Sequence, residues 1–220
     1  MKLYWILGAT FTLLSACAQQ DMKPDSNSGY MMQKYYDQME MVSAPSGEKI
    51  YRYISPSFKA ANYHHALVQP VITYPKAQST EQVSQETIDT LIGKMTSMME
   101  NSIKTALPLA TSVGKGVLKF ETAITGVAIA NVDLKAYQYI PIALLVQGAK
   151  NVAGGRDQQV QLHLETKVTD SVTGEVIAAA YREISGDDLE NAKTELQANN
   201  LSKGLEMAGK DMAEALNAIF

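Results

Sequence analysis

The chain has 220 residues, 46% hydrophobic and 19% charged, a composition that allows one globular domain with a buried core. Its formal net charge of −4, with no clustered Lys/Arg patch, argues against a nucleic-acid partner. A single cysteine excludes an internal disulfide and any cysteine-based metal site.

The N-terminus explains that cysteine. Lys2 is followed by an apolar run from Leu3 to Leu14, broken only by Gly8, Thr10 and Thr12. Twelve helical residues rise about 18 Å, short of the roughly 30 Å hydrocarbon core. The segment therefore reads as an export signal and not as a spanning helix. It ends in Leu14-Ser15-Ala16-Cys17, the pattern of a lipobox. Cleavage between Ala16 and Cys17, with lipid carried on Cys17, is expected. Each buried methylene contributes ~0.8 kcal/mol, so two or three chains on one residue make a lasting anchor. Ala18 stands where an aspartate would resemble an inner-membrane retention signal. The expected location is the outer membrane, facing the periplasm.

Residues 18–29 are polar, with Pro and Ser and no apolar period, and read as a tether. Residues 30–41, YMMQKYYDQMEM, place Met32, Tyr35, Tyr36 and Met39 on one helical face. Two readings stand: an arm packed on the domain, or a segment that docks a partner. Ala44-Pro45-Ser46-Gly47 makes a turn. The expected division is a signal peptide over 1–16, the lipidated cysteine, tether and arm over 17–47, and a single α+β domain over 48–220.

Within that domain, Tyr51 to Ile54 reads as a short strand and Ala66 to Tyr74 as a second, with Pro70 marking a bulge or free edge. Ser84 to Leu107 is the clearest helix: Ile88, Leu91, Ile92, Met95, Met99, Ile103 and Ala106 keep a helical period. Ser79 or Ser84 caps it and Pro108 lies past its end. Val117 to Ile124 alternates, with Leu118, Phe120 and Ile124 on one face. Gly126 suggests a bulge before the strand continues to Val132.

Residues 140–152, IPIALLVQGAKNV, carry a stripe of Ile142, Leu145, Val146, Ala149 and Val152. It is either a core helix or a hydrophobic contact surface. Val160 to Val168 alternates, which puts Gln161, His163, Glu165 and Lys167 outward toward solvent. The turn Asp170-Ser171-Val172-Thr173-Gly174 leads to a partner strand from Glu175 to Ile184. Leu189, Ala192 and Leu196 suggest a helical face, Asn199-Asn200 a break, and Ser202 the cap of a final helix. The element order implies a small mixed or antiparallel sheet with helices on one face.

Chemistry is sparse. There is no G-x-S-x-G elbow, and Gly114-Lys115-Gly116 fits neither a Walker loop nor a dinucleotide fingerprint. His64, His65 and His163 do not form a ligand set, so neither metal nor cofactor is expected. Asp170 reads as a turn residue, and no catalytic set emerges from the scattered carboxylates.

The chain resembles the proteobacterial lipoproteins catalogued as domain of unknown function 3313, from about Gly29 to Ile184. The likeness rests on Gly29-Tyr30 with its Tyr/Met run, Tyr53-Ile54-Ser55-Pro56, and the stretch from Tyr63-His64-His65 to Pro70-Val71. Asp170 to Glu175 running into Ala178-Ala179-Ala180 completes it. The C-terminal segment departs by lacking a tryptophan. The resemblance implies an envelope lipoprotein with an α+β domain and transfers no catalytic residue. Together these readings favour a non-enzymatic protein that binds another envelope protein or peptidoglycan. A carrier of lipid or a small apolar ligand, held between sheet and helices, is the alternative.

Overall fold

A computed structural model of the chain describes residues 28–131, 157–191 and 193–220. The segment read as an export signal, with Leu14, Ser15, Ala16 and Cys17, most of the stretch read as a tether, the 140–152 segment and Ala192 lie outside the described residues.

The described chain is an α+β structure with a mixed seven-stranded sheet. Its strands are β1 (Glu40–Ser43), β2 (Lys49–Ile54), β3 (His65–Val68), β4 (Ile72–Thr73), β5 (Val117–Asn131), β6 (Gln158–Asp170) and β7 (Val176–Ser185). The helices are α1 (Gln33–Gln38), α2 (Gln85–Ile103) and α3 (Ser202–Asn217). The sheet order is β1-β2-β7-β6-β5-β3, with β4 also on β5. Neighbours are antiparallel except β3 and β4, which run parallel to β5. The strand expected over Ala66 to Tyr74 is thus two short ones. Pro70 lies between them because it has no N–H to give the ladder.

The long β5–β6 pairing runs from Leu118 opposite Asp170 to Asn131 opposite Gln158, with a register shift between Ile124 and Gly126. The hairpin to β7 closes through Asp170, whose Oδ1 accepts from the N–H groups of Val172 and Thr173, each at 2.9 Å. These backbone donors hold the Asp170 carboxyl below its ordinary range. Gly174 takes φ +72°, a conformation that glycine adopts without strain.

One face of the sheet carries the main core. Leu118, Phe120 and Ile124 of β5 and Val160, Leu162 and Leu164 of β6 meet Ile88, Leu91, Met95, Met99 and Ile103 of α2, with Leu205 and Ala208 of α3 beside them. Ser84 caps α2 by accepting from Thr87 N at 3.2 Å.

The segment from Leu189 to Leu196 is not the expected helix. Leu189 exchanges backbone bonds with Gln158 at 2.7 and 2.8 Å, and Leu196 N donates to Gln82 O at 2.8 Å. Partners on β6 and before α2 satisfy this backbone, and Leu189 and Leu196 still reach the core. Ser202 is not the cap of α3 either. A 3-10 turn over Ala198–Leu201 leads straight into the helix, and Lys94 Nζ reaches the Ser202 hydroxyl at 3.3 Å.

Close approach of α3 to β7 depends on Gly204. A Cβ there would overlap the Ser185 carbonyl oxygen and stand 2.6 Å from Ile184 Cγ2. By contrast, a Cβ at Gly93 on α2 meets nothing within 4 Å. Gly204→Ala is therefore expected to lower stability by about 1–3 kcal/mol through overpacking. Gly93→Ala should raise it by about 0.5–1 kcal/mol. Denaturant unfolding of the two variants in parallel checks both signs.

Candidate functional site

The opposite sheet face sets the candidate site. β6 alternates as expected, but its polar face is not solvated. Glu165 is 0% exposed and His163 5% exposed. The cover of Glu165 is the N-terminal strap, residues 28–39, with α1 in its second half. Met31, Tyr35, Tyr36 and Met39 pack there against Val176, Ala179 and Tyr181 of β7, with Tyr51 and Tyr53 of β2 alongside. The Tyr35 and Tyr53 rings stand 5.4 Å apart, and those of Tyr51 and Tyr181 6.1 Å apart.

Of the four possible contact side chains in this run, Tyr35, Tyr36 and Met39 are therefore inside the domain and Met32, at 60% exposure, faces solvent; Ile142, Leu145 and Val146 lie outside the described residues. These contacts are those of an arm packed on the domain, one of the two readings of this run. The physical reason is that a sheet whose second face carries Ala179, Tyr181 and Glu165 needs an apolar cover, and the strap supplies it. The folded unit accordingly includes α1 and β1, so the domain boundary expected at residue 48 falls within the fold. Helices also lie on both faces of the sheet and not on one.

A single hydroxyl ties the strap down. Tyr36 donates its one proton to Glu165 Oε2. Its oxygen accepts from Met31 N at 3.2 Å and lies 3.0 Å from Ser28 Oγ. That uses the full capacity of a phenol: one donor and two acceptor positions. Burial raises the Glu165 carboxyl above its ordinary range, and bonds from Tyr36, Ser28 and Thr125 only partly offset it. Tyr36 and Tyr30 are raised as well, each chiefly by burial.

His163 forms a second polar cluster. Its Nδ1 lies 2.6 Å from Tyr181 Oη, which donates to Glu183 Oε1 at 2.9 Å. That chain assigns the ring proton to Nδ1, donating to the tyrosine oxygen. Burial lowers the His163 pKa and nearby Glu183 opposes the shift. The solvated histidine expected from strand alternation is corrected to a buried, hydrogen-bonded one. The outer part of the face is ionic: Glu121 lies 3.2 Å from Lys119 and 3.6 Å from Lys167, whose ammonium sits 5.6 Å from the Tyr30 ring centre.

On the other side of the sheet, Arg182 Nη2 lies 3.0 Å from Asp211 Oδ2 on α3. Asp211 also accepts from Ser46 N at 2.9 Å and Ser46 Oγ at 2.8 Å. This joins the β1–β2 turn, β7 and α3. Beside the strap, at the β1 edge, Asp37, Gln38, Met39, Glu40, Val42, Arg52, Tyr53 and Ile54 line an open groove of about 550 Å³. Among the described residues no group of three or more His, Cys, Asp or Glu is placed to hold a metal ion. No described helix is long and apolar enough to cross a membrane.

A seven-stranded α+β domain whose second face is closed by its own N-terminal strap is the class of protein defined here. The chain belongs to the family described as protein of unknown function (DUF3313), whose pattern matches residues 26–212. It is 30% identical over 198 residues to the uncharacterised lipoprotein YdcL of Escherichia coli K12, covering 90% of this chain and 88% of that one. YdcL of Escherichia coli O157:H7 matches equally. Among solved structures, the PelC dodecamer from Paraburkholderia phytofirmans aligns at TM-score 0.35 and 11% identity, over 77% of this chain and 95% of that chain. A neuraminyllactose-binding hemagglutinin homologue from Helicobacter pylori aligns at TM-score 0.37 and 9% identity, over 81% and 90%.

The Arg182–Asp211 pair carries a direct stability expectation. Asp211 is 3% exposed, and Asp211→Ala leaves Arg182 and the Ser46 turn without their acceptor. Loss of one partner of a buried ion pair should destabilise by about 3–5 kcal/mol. Denaturant unfolding measures it, and Ser46→Ala should show a smaller loss of about 0.5–1.5 kcal/mol.

Proposed function

We propose that this protein is a lipid-anchored, non-enzymatic component of the cell envelope that binds another envelope protein or peptidoglycan. The observation that carries the reading is the match across nine-tenths of the chain to a lipoprotein, joined to Leu14-Ser15-Ala16-Cys17. Lipid on Cys17 then makes the anchor, and Ala18 favours an outer-membrane, periplasm-facing location.

The burial of Tyr35, Tyr36 and Met39 moves the expected contact surface to the neighbouring groove. There Ile54 lines the groove and is exposed, and Met41 stands out on the short strand β1. An edge strand with apolar neighbours is a surface on which a partner chain gains both main-chain bonds and apolar contact. The carrier alternative finds no such support. Between sheet and helices the described side chains close on one another, and Met95, Met99, Ile103, Ile124 and Leu162 are fully buried there.

Cross-linking in intact cells, followed by affinity recovery and mass spectrometry, tests the reading. One envelope component recovered with the native chain and lost from Cys17→Ser supports it. Equal recovery from Met41→Asp/Ile54→Asp and from the native chain would remove the groove as the contact surface. Capture of abundant neighbours alone would sink the partner-binding role.

A further inference from the structure

The strap combines features that pure packing does not require. It lies at the N-terminal end of the fold, and α1 within it has only six residues, too few for a self-supporting helix. It nevertheless covers a carboxyl that is 0% exposed. The geometry points to a pH-gated strap: residues 28–39 close over Glu165 while that carboxyl carries its proton, and release when it ionises. Tyr36 is the latch. Release would uncover the aromatic face of Tyr51, Tyr53 and Tyr181.

The sign follows from burial. Docking removes Glu165 from water and favours its neutral form, so the docked state binds the proton more tightly than the open one. Strap docking is then strongest at or below the ordinary carboxyl pKa of 4.5. It weakens as pH rises toward the raised value in the docked state, by up to about tenfold per pH unit, and levels off above it.

Other titratable groups face Glu165. The strap presents Tyr30 and Tyr36, both raised, so neither ionises across this window. β5 presents Lys119 and Glu121, which pair with each other, and Glu121 also pairs with Lys167 of β6. His163 on β6 sits with Tyr181 and Glu183 of β7. Burial lowers its pKa and Glu183 opposes the shift, a direction opposite to that of Glu165.

Released, the twelve residues from 28 to 39 would lengthen the connection to Cys17 by less than their fully extended span of about 40 Å. That consequence rests on the proposed anchor. The gate does not, and it is tested by itself.

The test is hydrogen exchange followed by mass spectrometry on the full chain in detergent, from about pH 4.5 to about pH 9, corrected for the intrinsic exchange rate. Peptides covering 28–39 should lose protection as pH rises, by tenfold or more in total, while β6–β7 peptides hold theirs. Glu165→Gln should keep the strap protected and flatten its pH profile. A flat profile in the native chain, or an unchanged profile in Glu165→Gln, overturns the gate. Should Glu165→Gln fail to fold, Tyr36→Phe decides. Strap protection at about pH 5 that equals the native level refutes the latch, and its loss there supports it.

Discussion

Both faces of β6 are buried, and the rest of the molecule is arranged to make that possible. A central antiparallel strand alternates its side chains, so two separate covers are needed. On one side Val160, Leu162 and Leu164 meet α2 and α3 through ordinary apolar packing. On the other side Glu165 lies under the strap, and His163 is buried beside Tyr181. The second cover is thin. Among the described residues it consists of one short helix and a few aromatic and methionine side chains.

That asymmetry explains which parts of the fold the sequence revealed. The α2 helix, the β5 bulge near Gly126 and the Asp170–Gly174 hairpin are local patterns, each read from a few neighbouring residues. Glu165 could not be read in the same way. In a strand, Glu between Leu164 and Thr166 signals a solvent face, and only contact with Tyr36, 129 positions away, reverses it. The Tyr/Met run was the available signal. Its Met and Tyr side chains supply both apolar area and hydroxyl groups, which suits a half-polar strand face as well as a partner surface. The sequence showed the periodicity and not the destination.

The Leu189–Leu196 stretch failed for a related reason. Its apolar spacing is compatible with a helix, and its leucines do reach the core. Its backbone, however, is satisfied by Gln158 and Gln82, so the hydrogen-bond partners that decide the local structure come from distant segments. The candidate site divides along the same line. The pattern Leu14-Ser15-Ala16-Cys17, read as a lipobox, is contiguous and so can be recognised locally. By contrast, the groove at β1 joins residues of the strap to Arg52, Tyr53 and Ile54 and exists only in the folded chain.

A carboxyl at position 165 is the strongest indication that the strap is more than packing. An apolar residue of similar volume would fill the same space without a buried ionisable group, and such replacements are often neutral or stabilising. Glu165 therefore weakens the cover relative to what the same backbone could achieve. Tyr36 offsets part of that penalty through a bond that exists only while the strap is down. The outcome is a local stability gradient, with the β5–β6–β7 meander at its high end and the strap at its low end. The low end lies outside the cluster that α2 and α3 form with the sheet, so loosening it leaves the main core intact.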